Sequence, residues 1–324
     1  MNIFIGILFF LLLSIVFYVI LAYLVYKRVR PVDRACIYCP NPVHVNGYDL
    51  YYRELGADGE FPPVVLVHGG PGRSSNIFKN SFDYLSSLTR VVYYDQRGCG
   101  NSQIKPVSDD YNIEALIAEL ETLRREVIRS EKINLVAHDF GSILAQRYAL
   151  KFPQHVEKLV LISPQRINSG HRSLFFWKWF GPALVAPRLG FPPVSGREAD
   201  KWFANIILRE DIKRLFDPAQ AHLLKNIGNI SFAPWREIML SVAGLDYMDE
   251  LRQMEIPTLI TFGEAELKQK GKSAADELSN LLPYCSSIGF EKSGNWLFLE
   301  EPEQFRQVLM AFLVPSKLDL SGKA

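Results

Sequence analysis

The sequence predicts an α/β fold, a mostly parallel sheet with helices on both faces, preceded by one membrane-spanning helix. Three observations carry this. Short β-branched or aromatic runs alternate with longer stretches of helical period. An uncharged apolar stretch runs from Ile3 to Tyr26, about the 20 residues needed to cross a bilayer. The whole chain is 48% hydrophobic and 22% charged, which supports a large core and not a disordered chain.

The apolar stretch is read as an anchor. Only Met1 and Asn2 precede it, so the positive flank of a cleaved leader is missing, and the run exceeds the apolar core of such leaders. Lys27, Arg28, Arg30 and Arg34 follow it, and this asymmetry predicts a cytosolic body on a single-pass membrane protein. The sequon Asn229-Ile230-Ser231 matters only in the reverse orientation. The four cysteines are too few for a secreted disulfide scaffold, and the lone pair Cys36 and Cys39 is read as two reduced thiols in a linker; no metal is expected. A net charge of +1 gives no bulk pull toward polyanions, so a nucleic-acid partner is not expected.

With no repeat and no second membrane-length run, residues after the linker form one large domain. The divisions are 1–30 for the anchor and its basic flank, 31–44 for the linker, 45–167 and 247–324 for the two parts of the core, and 168–246 for an inserted helical cap. Strands are expected at Tyr48–Arg53, Val64–Val67, Arg90–Tyr94, Ile133–Val136, Leu159–Ile162, Thr258–Thr261 and Ser286–Phe290, the first as an antiparallel hairpin. Leu116, Leu120, Leu123 and Val127 share one helical face, as do Ile143, Leu144 and Tyr148 after Gly141. The cap stretch breaks the alternation and is rich in aromatic residues and proline, among them Trp177, Trp179 and Trp202.

The chemistry begins where strands end. Val64–Val67 runs into His68-Gly69-Gly70-Pro71-Gly72, and glycines there let backbone amides face outward as an oxyanion hole does. Val91–Tyr94 runs into Asp95-Gln96-Arg97-Gly98-Cys99-Gly100-Asn101-Ser102, a tight turn in which Asp95 and Arg97 are structural. Ile133–Val136 leads to Ala137-His138-Asp139-Phe140-Gly141.

These strings resemble the α/β-hydrolase superfamily over roughly residues 45–313, and HGGPG with DQRGCGNS resembles its proline iminopeptidase branch. The resemblance implies an α/β-hydrolase fold whose nucleophile sits on a sharp strand-to-helix elbow, usually G-x-S-x-G. The elbow here holds Asp139, and HDFG resembles the elbow of epoxide hydrolases and haloalkane dehalogenases. A carboxylate at this place can displace at carbon to give an ester. The amides of Gly70 and Phe140 are then the oxyanion donors, with Gly69, His68 and His138 beside them. Ser142 is a packing residue.

Two more groups complete such a site. After Thr258–Thr261, Gly263-Glu264-Ala265-Glu266 resembles the family's G-x-x-D, which implies Glu266 as orienting acid, with Glu264 the alternative. The histidine commonly stands after the last strand in a G-H string followed by E-E-P. Here the string reads Gly294-Asn295 with Glu300-Glu301-Pro302, so Asn295 holds the base position, and no histidine lies beyond His222. An amide does not accept a proton near neutral pH, and a lost general base costs about 10²- to 10⁴-fold.

The cap lacks the epoxide hydrolase tyrosines between Asn168 and Asp246, with Tyr247 at its exit; Phe140 lacks the halide-binding N–H; and Glu198 or Glu210 are the acids available for a substrate amine. The expectation is a membrane-anchored hydrolase-fold protein without a cofactor, acting on a small apolar molecule or short peptide through Asp139 and impaired at Asn295. A catalytically inactive binding protein and a proline-releasing aminopeptidase are the alternatives.

Overall fold

The computed structural model describes residues 2–28, 33–39, 42–59, 61–106, 110–165, 196–227, 230–265 and 274–314. Helix α1 (Asn2–Arg28) comes first, and its stretch Ile5–Val25, mean hydropathy 3.0, is long and apolar enough to cross a membrane. Most of its described side chains are exposed, whereas Ala22 near its end is buried.

Strands β1 (Val43–Val45) and β2 (Tyr48–Leu50) form a separate antiparallel hairpin. The main sheet has seven strands: β3 (Tyr52–Leu55), β4 (Val64–Val67), β5 (Val91–Tyr94), β6 (Ile133–His138), β7 (Val156–Ile162), β8 (Thr258–Gly263) and β9 (Cys285–Phe290). Their order is β3-β5-β4-β6-β7-β8-β9, with β3 antiparallel to β5 and every other pair parallel. The single strand expected over Tyr48–Arg53 is instead two, because the Tyr51 amide turns to the Ser102 hydroxyl at 2.9 Å.

The central strands are apolar runs because both faces are covered. On one face Leu116, Leu120 and Leu144 from α2 (Ile113–Thr122) and α3 (Gly141–Lys151) pack on Val65, Val67 and Leu135. On the other, Phe78, Phe82, Trp296, Phe305 and Leu309 cover Val64, Leu66 and Val136, with Phe305 and Leu309 supplied by a C-terminal helix over Pro302–Leu313. Each such side chain fully buried is worth about 1.5–3 kcal/mol.

Between β7 and β8 lie α4 (Gly196–Lys213), a looser helical turn over Pro218–Asn226, and α5 (Phe232–Val242). Phe203, Phe232 and Ala199 form a small cluster of their own with Trp202 and Trp235 against it. The far end of α5 joins the main core through Ile238 and Val242. Helices α6 (Ala274–Leu281) and α7 (Pro302–Leu313) complete the chain. Two expectations about the linker change. Cys36 and Cys39 form a disulfide in place of two reduced thiols. Arg34 is no free flanking charge: its guanidinium donates to the carbonyls of Gly100 and Ser102.

Candidate active site

Strand β6 stays hydrogen-bonded to β7 through His138, and the chain then reverses within two residues into α3. Asp139 sits at that reversal with φ +53°, a left-handed conformation that aspartate tolerates better than most side chains but that still stores roughly 1 kcal/mol or more. The turn closes because two glycines allow it: a Cβ on Gly141 would lie 2.4 Å from the Val67 carbonyl, and one on Gly69 would lie 2.5 Å from the His138 carbonyl and 2.7 Å from the Asp139 Cβ. Ser142 locks the turn, donating to the Asp139 carbonyl at 2.6 Å and accepting from the Gln165 amide at 3.2 Å. The glycine loop and the elbow are thus in contact through Gly69. The loop continues into Gly70, and Phe140 follows Asp139 in the elbow. Among the described residues neither of their amides meets a backbone acceptor.

Glu266 lies outside the described residues, as do Trp177 and Trp179. Glu264 is partly buried after β8. Asn295 is fully buried, and its backbone N–H donates to the Arg214 carbonyl at 2.9 Å. Its side-chain Oδ1 accepts from Arg214 Nη2, which also lies 3.5 Å from Asp139 Oδ1. The second hydrogen bond to Asp139 Oδ1 comes from Gln165 Nε2 at 3.0 Å. Burial alone would raise the Asp139 carboxyl; Arg214, Arg73 and the Gln165 bond outweigh it and hold the group below the ordinary carboxylate range.

The two histidines beside the elbow are structural. His138 is packed against Trp296, Phe298 and Phe78, with Nε2 2.9 Å from the Asn295 carbonyl and 3.2 Å from its Nδ2. His68 accepts from the Gln96 amide at 3.1 Å, and Gln96 Nε2 returns a bond to the His68 carbonyl at 3.0 Å. Burial pushes both imidazoles down to about 4, so both are neutral at pH 7. Asp95 and Arg97 are structural too: Asp95 holds Ser75 and Asn101, and Arg97 is paired with buried Glu119 at 2.8 Å.

Glu198 and Glu210, the cap acids available for a substrate amine, are exposed and pair with Lys201 and Lys213 on the helix surface. Trp202 packs inside the cap, and buried Tyr247 faces Gln146. Asp211 on the same helix is turned inward, its carboxylate accepting from Arg73 at 2.6 and 2.9 Å with both side chains buried. Asp211, Arg214 and Gln165 were not found in the sequence. Asp211 and Arg214 stand one helical turn apart, yet nothing in their spacing tells that turn from the paired, exposed face beside it. Arg73 and Asp211 also line a cavity of 470 Å³ between α4 and the following turn, walled by Leu208, Ile212, Leu224 and Ile227. Among the described residues no three His, Cys, Asp or Glu side chains converge to hold a metal ion.

Comparison with known proteins agrees with this fold. The family model described as "alpha/beta hydrolase fold" matches residues 62–183. A proline iminopeptidase of Lactobacillus acidophilus is 39% identical over 279 residues, covering 75% of this chain and 90% of the relative. The chain belongs to the proline iminopeptidase family. A second proline iminopeptidase, of Saccharolobus solfataricus, is 25% identical over 284 residues, covering 82% of this chain and 89% of the relative. Among solved structures a thermophilic esterase from Thermogutta terrifontis superposes with a TM-score of 0.66 at 22% identity, over 84% of this chain and 96% of that one, a likeness of fold alone.

Proposed function

We propose that this chain is a membrane-anchored member of the proline iminopeptidase family that binds a ligand under its cap and does not turn it over. One observation carries the reading: Arg214, at the end of the cap helix, bridges Asn295 and Asp139. A general base at position 295 would titrate to a second cation against that guanidinium, whereas a neutral amide accepts its hydrogen bond. A carboxylate stabilised by an arginine and an amide is in turn a weakened nucleophile. The ligand is a small apolar molecule or short peptide, oriented by Gly70 and Phe140 near Asp139.

Two enzymatic readings make different predictions. If Asp139 displaces at carbon, the ester accumulates, since no described side chain is placed to activate water against it. The aminopeptidase reading is favoured by the relatives, which are named for proline release; Asp139 and Asn295 at the nucleophile and base positions stand against it. Intact mass after incubation with epoxides, haloalkanes and activated esters, run beside prolyl anilide cleavage, separates the three. We expect neither adduct nor product. An adduct abolished by Asp139→Asn would establish capture, and anilide cleavage would establish the peptidase.

A further inference from the structure

We propose that the cap and the mouth of the site rest on the bilayer, so that the ligand enters from the lipid phase. This rests on the anchored reading above. The linker does not hang free between α1 and the domain. Arg34 pairs with Ile104 through backbone bonds of 2.9 and 2.8 Å, the Ile37 amide donates to the Asn101 carbonyl at 2.8 Å, and the Cys36–Cys39 disulfide closes the turn between them. All of these contacts fall on the loop after β5, at the end of the parallel sheet where β6 delivers Asp139.

That loop is itself tied to the site. Asp95 accepts from the Asn101 amide at 2.8 Å and from the Ser75 amide at 2.7 Å, two residues beyond Arg73 on the glycine loop. A few hydrogen bonds therefore join the docked linker to the glycine loop, which touches the elbow at Gly69. The chain between Arg28 and Asp33 can span at most about 18 Å even when fully extended. An anchor ending that close to the loop holds the site end of the sheet at the membrane.

The exposed surface points the same way. Outside α1, the exposed large apolar side chains are Tyr38, Leu208, Phe216 and Tyr284 among the described residues. The first belongs to the docked linker and the next two to the cap, so three of the four lie at the site end. Tyr38 crowns the disulfide turn at 82% exposure, the amphipathic ring that interfaces favour. Leu208 lines the 470 Å³ cavity, whose walls are mostly aliphatic and whose buried Arg73 Nη1 has no partner among the described residues. That combination suits an amphiphile with an apolar chain and an oxygen-bearing head.

The test uses the full chain in phosphatidylcholine vesicles in which a fraction of the phospholipid carries a photoreactive diazirine on its acyl chain. After irradiation, labelled peptides are mapped in the parent and in Leu208→Lys. Label on α1 and on residues 204–230 is expected, with the second signal falling severalfold in Leu208→Lys while the first is unchanged. Label confined to α1 would overturn the proposed orientation and leave the anchor intact. Absence of label from α1 would overturn both.

Discussion

Arg214 meets Asp139 and Asn295 with one guanidinium nitrogen, and its removal tests what that contact does. In Arg214→Ala the Asp139 carboxyl loses its nearest cation while burial remains, so its titration moves upward. Carbon-13 NMR of the labelled aspartates reads this directly, and an unmoved Asp139 would refute the contact. Gly69 is the second such position. Its missing Cβ is the clearance between the glycine loop and the elbow, so Gly69→Ala costs about 1–3 kcal/mol by overpacking, read as a fall in Tm. His68 and His138 supply the pH dependence. Each is neutral when folded, with a pKa lowered to about 4 from an unfolded value near 6.5. Their contribution is therefore complete above pH 6.5 and is lost as pH falls toward 4. Each removes about 1.4 kcal/mol per pH unit in that window, measurable as a falling urea midpoint.

At the scale of elements, the cap is fastened to the core by the end of α4, through Asp211 on Arg73 and Arg214 on the elbow. Breaking a buried pair from one side leaves a bare charge, so Arg73→Ala is expected to cost about 3–5 kcal/mol in urea unfolding, whereas Arg73→Met with Asp211→Leu is expected to be close to neutral. The sheet was legible in the sequence because central parallel strands are uninterrupted apolar runs, and Val64–Val67 is reproduced residue for residue. The elbow was legible because glycine spacing reports backbone that must turn tightly. The fastening was not. Arg214 reaches Asp139 across 75 positions of sequence, and no local period or spacing carries a contact created only when the insertion folds back over the strands. The linker misled for a related reason, since the C-x-x-C string alone does not distinguish two thiols from the closed turn that docks on residues 101–104.

For the whole molecule, orientation and turnover remain the two consequential properties. The basic residues after α1 favour a cytosolic body, whereas a disulfide is rare in a reducing compartment. Glycosylation at Asn229 decides between them: a glycan shift on expression in a glycosylating cell would place the body outside the cytosol, and none is expected. Turnover is the central claim, and it rests on Asn295 and Arg214 jointly occupying the space of a general base. The most direct measurement is hydrolysis of a panel of prolyl anilides, esters and epoxides by the unaltered chain and by Asn295→His combined with Arg214→Ala. The account predicts no product from the unaltered chain and ester or epoxide hydrolysis from the double variant. Product released repeatedly by the unaltered chain, and lost in Asp139→Asn, would contradict it.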